Sequence, residues 1–230
     1  MTRGRPTALI TGASRGIGAA IANVLGETHY IVLGGRDHRA LADLAHSLPS
    51  AVAWPVELTD FDGMASAVKD FDRLDVLVHS AGVWEPGLIG DTALETWRSI
   101  FDVNLFAVAE LTRLLLPALR AARGRVVLVN STAGKRTSPA RGAYTASKFA
   151  LRALGNTLFA EERENGVGVT TIYPARVATD MQRKVRDAEH GSFHEEDYIA
   201  PASIAHAVLA AIMAPSDSNM TEIVVAGGHR

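Results

Sequence analysis

The chain has 230 residues, of which 47% are hydrophobic, with a formal net charge of −2 and no cysteine. This length and apolar content suit a single domain, residues 1–230, with a packed core. The small net charge argues against nucleic-acid binding, and the lack of cysteine excludes disulfides and a thiol nucleophile. No apolar run is long enough to cross a bilayer, and residues 1–6 show no signal-peptide pattern, so we expect a cytoplasmic protein that binds neither nucleic acid nor membrane.

Short apolar runs alternate with helical patterns along the chain. The runs are nearly unbroken valine, isoleucine and leucine, which is typical of strands buried on both faces. The alternation predicts an α/β fold, a doubly wound parallel sheet of about seven strands that binds ligands at the carboxyl ends of its strands. The predicted strands are 7–11, 30–35, 51–58, 74–81, 125–131, 167–174 and 222–226, and the predicted helices are 17–27, 38–48, 61–71, 94–121, 144–164 and 201–213.

A glycine-rich turn, Gly-Ala-Ser-Arg-Gly-Ile-Gly at residues 12–18, follows the first predicted strand. Glycines let the backbone approach a phosphate, and the free N–H groups of a helix N-terminus favour negative charge. The spacing is Gly-x-x-x-Gly-x-Gly, not the usual Gly-x-Gly-x-x-Gly. The turn therefore predicts a dinucleotide site, with an ordinary strand-to-helix turn as the alternative.

Tyr144 and Lys148 stand four residues apart near the start of a predicted helix. This spacing places the phenol and the ammonium on one helical face, one turn apart. A nearby cation lowers a tyrosine pKa, so the phenol could exchange a proton with an alcohol or carbonyl near neutral pH. Ser131, at the end of the run 125–131, could hold the substrate oxygen. Taken alone, the pair also fits a half-buried aromatic beside a solvated lysine.

Together these motifs resemble the short-chain dehydrogenase/reductase family, nearly from end to end. The resemblance rests on the glycine turn, on Asn104, Ser131, Tyr144 and Lys148 with their spacing, and on the segment 174–179. It implies a single-domain Rossmann fold in which those four residues are a catalytic tetrad. The reaction it implies is hydride transfer between a nicotinamide cofactor and a small carbonyl compound or secondary alcohol.

The resemblance also assigns individual roles. Tyr144 is the general acid in reduction and the base in oxidation, and Lys148 binds the nicotinamide ribose and lowers the tyrosine pKa. Ser131 donates to the substrate oxygen, while Asn104 holds a water through a local helix distortion, a role compatible with a buried, satisfied amide. The implied cofactor-binding residues are Gly12, Ser14, Arg15, Gly16, Ile17, Gly18, Arg36, Glu57, Leu58, Ser80, Ala81, Gly82, Asn104, Tyr144, Lys148, Pro174, Val177 and Thr179.

The choice of cofactor is predicted from charge at the end of the second strand. NAD sites place a carboxylate there, whereas NADP sites place a cation. Here Gly35 occupies the acidic position, Arg36 follows it, and Arg15 can reach the same phosphate. Asp37 could bind a ribose hydroxyl, but we expect it to cap the next helix. NADP(H) is therefore predicted, with NAD(H) as the alternative.

Three positions depart from the family pattern: Glu57 replaces an aspartate, Ser80 an asparagine, and Ala175 a glycine. Residues 180–200 are expected to form a mobile substrate lid. Lys135 and Arg136 could attract an anionic substrate, although a solvated loop is the favoured interpretation. No metal site is expected, since His79, His190 and His194 lack ligand spacing.

The family resemblance implies a homodimer or homotetramer. A dinucleotide-binding sensor without turnover is one alternative function, although the complete tetrad argues against it. Epimerisation or dehydration on the same fold is another, and the short C-terminal portion argues against that.

Overall fold

The computed structural model describes residues 4–228. Its strands form one parallel sheet in the order β3-β2-β1-β4-β5-β6-β7. The predicted doubly wound α/β fold is therefore confirmed. The strands are β1 Thr7–Thr11, β2 Tyr30–Gly35, β3 Ala51–Pro55, β4 Val76–His79, β5 Arg125–Val129, β6 Gly168–Pro174 and β7 Glu222–Val225.

Helices connect these strands across both faces of the sheet. Short 3-10 turns add Ile89–Asp91, Thr132–Gly134, Arg163–Asn165 and Glu195–Asp197. None of the helices between residues 4 and 228 is long and apolar enough to cross a membrane. The helices are α1 Gly16–Gly26, α2 His38–Ser47, α3 Phe61–Val68, α4 Leu94–Phe101, α5 Ala107–Ala122, α6 Gly142–Glu162, α7 Asp180–Ala188 and α8 Pro201–Ile212.

Successive strand residues point to opposite faces, which divides the core in two. Ile10 belongs to the cluster that contains Ile21 of α1 and Val208 of α8. Its neighbour Leu9 belongs to the cluster that contains Leu111 of α5 and the Leu151 side chain of α6. Both faces of the central strands are thus covered, which explains their unbroken apolar sequence.

The sheet order reverses at β1, which pairs with β2 on one side and β4 on the other. In open parallel sheets, a crevice forms at such a point outside the carboxyl ends of the strands. The predicted turn at residues 12–18 follows β1 at that place. The topology therefore positions the glycine turn where a ligand would bind.

Several predicted strands and helices end a few residues away from the observed bounds, and some observed elements were not predicted. The predicted helix 94–121 is interrupted by a π-helical turn, Asp102–Phe106, between α4 and α5. The expected lid region contains a regular helix, α7, that the sequence analysis did not predict. Asp37 does cap α2, as expected, because its carboxylate accepts from the N–H of Ala40 at 3.0 Å.

Helix α6 approaches the sheet closely at Gly155. A Cβ there would lie 2.7 Å from the Thr171 hydroxyl oxygen and 2.8 Å from a methyl group of Leu128. These contacts are closer than van der Waals packing allows, and both neighbours are buried strand residues. Gly155 therefore sets the distance between α6 and strands β5 and β6.

We predict that Gly155→Ala destabilises the protein. Alanine gains about 1 kcal/mol of helix propensity over glycine, but overpacking at a buried helix–sheet contact costs about 1–3 kcal/mol. The net loss should lower the thermal midpoint by about 2–4 °C per kcal/mol lost. Gly90→Ala is the matched control, because a Cβ at Gly90 meets no atom within 4 Å. Equal midpoints for the two variants would contradict the prediction.

Candidate active site

The glycine turn after β1 is shaped by close backbone contacts. Gly12 has φ +66° and Gly16 has φ +57°, values that favour glycine. A Cβ at Gly12 would lie 2.8 Å from the Ala81 backbone, and one at Gly18 would contact the Gly12 carbonyl oxygen. Arg15 stands at the N-cap of α1 without bonding the first turn through its side chain. The N-terminus of α1 therefore has the shape and polarity of an anion-binding turn.

The Thr11 hydroxyl joins this turn to the end of β4. It accepts hydrogen bonds from the N–H groups of Ser80 at 3.1 Å and Ala81 at 3.2 Å, and it donates to the Val78 carbonyl oxygen at 3.4 Å. The strand end is thus held by Thr11, whereas the side chain of Ser80 is not needed for that contact. This accounts for how a serine is accommodated where the family pattern has asparagine.

Asn104 lies in the π-helical turn and is buried. Its side-chain Oδ1 accepts from the Val83 N–H at 2.9 Å, and its Nδ2 donates to the Val83 carbonyl oxygen at 2.9 Å and to Ser147 Oγ at 3.1 Å. The expectations of a satisfied buried amide and of a local helix distortion are therefore both confirmed. A catalytic role for Asn104 stays a prediction.

Tyr144 and Lys148 are brought together on the buried face of α6. Their exposed fractions are 8% and 4%, and the Lys148 Nζ lies 5.8 Å from the Tyr144 ring centroid. The ammonium also donates to the Val129 carbonyl oxygen at 3.3 Å. The reading of Lys148 as a solvated surface lysine is therefore wrong.

Burial acts in opposite directions on the two groups, because it disfavours whichever form is charged. It lowers the pKa of Lys148 to about 8 and raises the pKa of Tyr144. The neighbouring Ser131 hydroxyl and the charge of Arg141 lower the tyrosine pKa only in part. The predicted lowering of the Tyr144 pKa is therefore wrong for this structure, in which burial outweighs the lowering effects and the phenol keeps its proton at neutral pH.

Ser131 follows β5 and caps the 3-10 turn Thr132–Gly134, its Oγ accepting from the Ala133 N–H at 3.1 Å. Its neighbour Asn130 was not among the predicted site residues, yet the Asn130 Oδ1 accepts from the Ser131 N–H at 2.8 Å. The Asn130 Nδ2 donates to the Lys148 carbonyl oxygen at 3.0 Å. One amide thus fixes the Ser131 backbone relative to α6. The sequence feature that could have identified Asn130 is a polar residue at the end of an apolar strand.

A second group of contacts anchors the turn after Ser131 to the sheet edge. Glu222 on β7 accepts from Lys135 Nζ at 2.5 Å, from Arg152 Nε at 2.9 Å and from the Tyr173 hydroxyl at 2.9 Å. The Lys135 hydrogen bond, followed by those from Tyr173 and Arg152, holds the pKa of Glu222 at about 2. Lys135 is therefore engaged in a structural ion pair.

The two arginines predicted to select the cofactor are both exposed. Arg15 Nε lies 3.5 Å from a carboxylate oxygen of Asp180, and Arg36 Nη1 lies 3.7 Å from one of Glu57. The other Glu57 oxygen accepts from the backbone and hydroxyl of Thr59. These long, solvent-exposed ion pairs are weak, so both guanidinium groups remain able to bind a phosphate.

The segment after β6 leads into α7. Thr179 is the N-cap of this helix: its Oγ1 accepts from the Gln182 N–H at 3.3 Å and donates to the Val177 carbonyl oxygen at 3.3 Å. A Cβ at Gly16 would lie 3.4 Å from the Thr179 methyl group. The predicted nicotinamide segment therefore meets the glycine turn directly.

A cavity of about 460 Å³ lies beside Ser131 and Tyr144. Ile17, Pro174 and Val177 form part of its wall, so residues from the predicted cofactor and catalytic sets meet there. Trp84, Tyr144 and Val185 pack together with Met181 of α7. The helix in the expected lid region thus covers one side of this cavity.

Glu189 links this helix to the body of the site. Its carboxylate accepts from Arg141 Nη2 at 2.6 Å, from Arg176 Nη1 at 2.9 Å and Nη2 at 2.6 Å, and from Arg186 Nη1 at 2.7 Å. The Arg176 hydrogen bonds, with help from Arg186, hold the pKa of Glu189 at about 2. The end of α7 is therefore held to the rest of the site by Arg141 and Arg176, while Arg186 of α7 binds the same carboxylate.

His79 at the end of β4 is buried, and its Nε2 lies 2.9 Å from the Thr112 hydroxyl oxygen. Burial lowers the pKa of His79 to about 3, so the ring is neutral. Between residues 4 and 228, no group of three or more histidine or acidic side chains is arranged to hold a metal ion.

Comparison with known proteins identifies the class of this fold and site. Residues 6–190 match the family model for short chain dehydrogenases, so the chain belongs to the short-chain dehydrogenase/reductase family of oxidoreductases. An uncharacterised oxidoreductase from Staphylococcus haemolyticus is 33% identical over 229 residues, covering 95% of each chain.

Two solved structures are similar over 96% of both chains. One is an alcohol dehydrogenase from Thermococcus sibiricus complexed with 5-hydroxy-NADP, with a TM-score of 0.85 and 26% identity. The other is a metagenomic short-chain oxidoreductase in complex with NADP, with a TM-score of 0.81 and 32% identity. These neighbours support a nicotinamide dinucleotide as the cofactor of the fold.

We predict that burial of Lys148 gives the nucleotide-free protein a specific pH dependence. The folded pKa of about 8 lies below the ordinary value of 10.5, so between these values the unfolded chain binds a proton that the folded chain has lost. Stability should therefore rise with pH across this window, by about 3 kcal/mol relative to Lys148→Met. Denaturant unfolding of both proteins from pH 7.5 to 10.5 measures the difference. Parallel stability curves would show that the ammonium is not desolvated.

Proposed function

We propose that the chain is an NADP(H)-dependent oxidoreductase that interconverts a carbonyl compound and its alcohol, with Tyr144 as the general acid and base. One observation carries this proposal. Tyr144 and Ser131 line a cavity whose wall continues into the glycine turn through Ile17, and Lys148 is buried beside Tyr144 on α6. A proton donor and a dinucleotide-type turn are thus combined at one place, as hydride transfer requires.

The residues around the turn fit a bound dinucleotide. The close approach of Gly12 to Ala81 leaves no room for a side chain, and α1 begins there without an acidic residue in its first turn. The amides of this turn would hold the pyrophosphate. Lys148 lies close to Gly82, since a Cβ at Gly82 would be 3.8 Å from its Nζ. We therefore assign Lys148 to the ribose hydroxyls, and Pro174, Val177 and Thr179 to the nicotinamide side.

Bound NADP(H) supplies or accepts the hydride, and the protein handles the oxygen and its proton. In reduction, Tyr144 donates its phenolic proton to the substrate oxygen as negative charge develops there. Its raised pKa keeps that proton in place at neutral pH. Ser131 donates a hydrogen bond to the same oxygen. In oxidation, the proton moves from the alcohol to the phenolate of Tyr144.

The preference for NADP(H) over NAD(H) rests on Arg15 and Arg36. Both are exposed cations, and a guanidinium group matches the geometry of a phosphate. Glu57 favours the alternative, because its carboxylate lies 3.7 Å from Arg36 and offsets part of that charge. Glu57 also accepts two hydrogen bonds from Thr59, so its carboxylate is shared between Thr59 and Arg36. We therefore assign the remaining positive charge of Arg15 and Arg36 to binding of the 2′-phosphate.

Assembly and location extend this proposal. Leu94, Phe106 and Phe149 are large apolar side chains exposed on and between α4, α5 and α6. Such a surface favours association, and we expect a homodimer or homotetramer. A cytoplasmic location is expected from the sequence analysis.

We predict that Tyr144→Phe lowers turnover by about 10²–10⁴-fold, because the change removes only the transferable proton. Binding of NADPH should stay within a few-fold of the original protein. The measurement is the loss of NADPH absorbance with a panel of ketones, aldehydes and diketones, together with calorimetric titration of NADPH. Tight NADPH binding without turnover by either protein would favour the sensor alternative, whereas failure to bind NADPH and NADH would refute the proposed function.

We predict that Arg36→Asp reverses or abolishes the cofactor preference. The change removes a phosphate-binding cation and adds a carboxylate that can accept from a ribose hydroxyl. The ratio of kcat/KM with NADPH to that with NADH should fall at least about tenfold, the effect of losing one charge-assisted contact. Arg39→Asp is a suitable control, because Arg39 is an exposed residue on α2 that forms an ion pair with Asp43. An unchanged ratio in Arg36→Asp would show that Arg36 does not select the cofactor.

A further inference from the structure

The cavity beside Tyr144 has more positive than negative charge in its wall. Arg136, Arg141 and Arg176 line it, and Glu189 is the acidic residue that lines it within residues 4–228. Three guanidinium groups against one carboxylate leave two positive charges in excess. A cleft lined by positive charge attracts an anion more strongly than a flat surface of the same charge.

The dinucleotide does not account for this charge. Arg15, assigned to the cofactor phosphate, lines an adjoining cavity with Gly16 and Thr179. Arg136 and Arg141 instead stand between Ser131 and Tyr144 in the chain, in the segment that supplies both groups assigned to the substrate oxygen. Their position associates them with the substrate.

The arginines are already oriented for a carboxylate. Arg176 binds both oxygens of Glu189, at 2.9 Å and 2.6 Å, and Arg141 binds one of them at 2.6 Å. Arg141 uses one of its five N–H donors in this contact, so others remain for a ligand. Arg136 is exposed at the same cavity, and its side chain forms no ion pair in the part of the chain that the structure describes.

Two uncharged donors strengthen the same conclusion. Trp84 and Gln182 both line the cavity and are 7% exposed. Among the described residues, Trp84 Nε1 and Gln182 Nε2 are buried nitrogen atoms without a hydrogen-bond partner. A buried N–H group without an acceptor is destabilising, and an oxygen-rich ligand that drew these side chains toward it would supply one. Within residues 4–228, two N–H donors that belong to residues of the wall therefore lack an acceptor.

We propose that the substrate carries a carboxylate in addition to its reacting carbonyl or alcohol group, and that Arg136 and Arg141 bind this carboxylate while Ser131 and Tyr144 bind the reacting oxygen. The substrate class is an oxo acid in reduction and a hydroxy acid in oxidation. This inference rests on the proposed function, because it places the reacting oxygen at Tyr144.

Matched pairs of compounds test the proposal. Benzoylformate is compared with methyl benzoylformate, and levulinate with methyl levulinate, since each pair differs only in the carboxylate. We expect kcat/KM with NADPH to favour the acid by about tenfold or more, the effect of a charge-assisted contact. Arg136→Gln and Arg141→Gln should each lower the acid-to-ester ratio by about tenfold. Arg113→Gln, which removes a guanidinium paired with Glu110 on α5, should leave the ratio unchanged.

The ratio separates substrate recognition from catalysis. Arg141 also influences the Tyr144 proton, but that effect acts on acid and ester alike and cancels in the ratio. Esters reduced as well as acids, with no change in the arginine variants, would overturn the inference and leave the proposed function intact.

A binding measurement decides the case in which no probe is turned over. Benzoylformate and its ester are then titrated by calorimetry into the protein with NADPH present. Tighter binding of the acid that is lost in Arg136→Gln and Arg141→Gln supports the inference, whereas equal or absent binding of the acid overturns it. Failure of the protein to bind NADPH and NADH in the same instrument refutes the proposed function separately.

Discussion

The side-chain amide of Asn104 is the contact on which the arrangement of the site depends. It bonds both the backbone N–H and the backbone carbonyl oxygen of Val83, and it donates a third hydrogen bond to Ser147 of α6. The segment after β4, the π-helical turn and α6 are therefore fixed to one another by a single planar group. Because Val83 follows Gly82, this amide also determines how closely that segment approaches Lys148. A buried peptide without these bonds would be costly, so the three segments keep their positions together.

Burial gives the phenol and the ammonium at this place complementary properties. The same desolvation that holds the proton on Tyr144 makes the ammonium of Lys148 easier to deprotonate. The pKa values of the two groups, which ordinarily differ little, therefore move apart: the phenol holds its proton more tightly and the ammonium holds its proton less tightly. Asn130 contributes without touching either side-chain end, because it fixes the backbone of Ser131 to that of Lys148. The geometry of the site is thus built mainly from backbone contacts made by buried amides.

The structural features that depend on apolar runs and on glycine could be predicted from the sequence. Features that depend on tertiary contacts could be predicted less well. The sheet followed from unbroken apolar segments, and the turn at residues 12–18 from its glycines. The π-helical turn at Asn104 lies inside a continuous helical pattern, so composition alone could not locate the distortion. Helix α7 was not predicted because it is rich in charged residues and its apolar face consists of Met181 and Val185 alone. Thr179 caps this helix. The tyrosine pKa was predicted in the wrong direction, since the extent of burial is not visible in a motif.

The contacts of Glu222 connect the site to the last strand of the sheet. Its carboxylate holds Lys135, which directly follows the turn capped by Ser131, and Arg152, which lies one turn after Lys148 on α6. Both partners are synthesised well before residue 222. During translation, therefore, these two cations lack the Glu222 carboxylate until β7 has left the ribosome and joined β6. The chain can form its central strands early, but the turn beside Ser131 gains its anchor to β7 only when the sheet is complete.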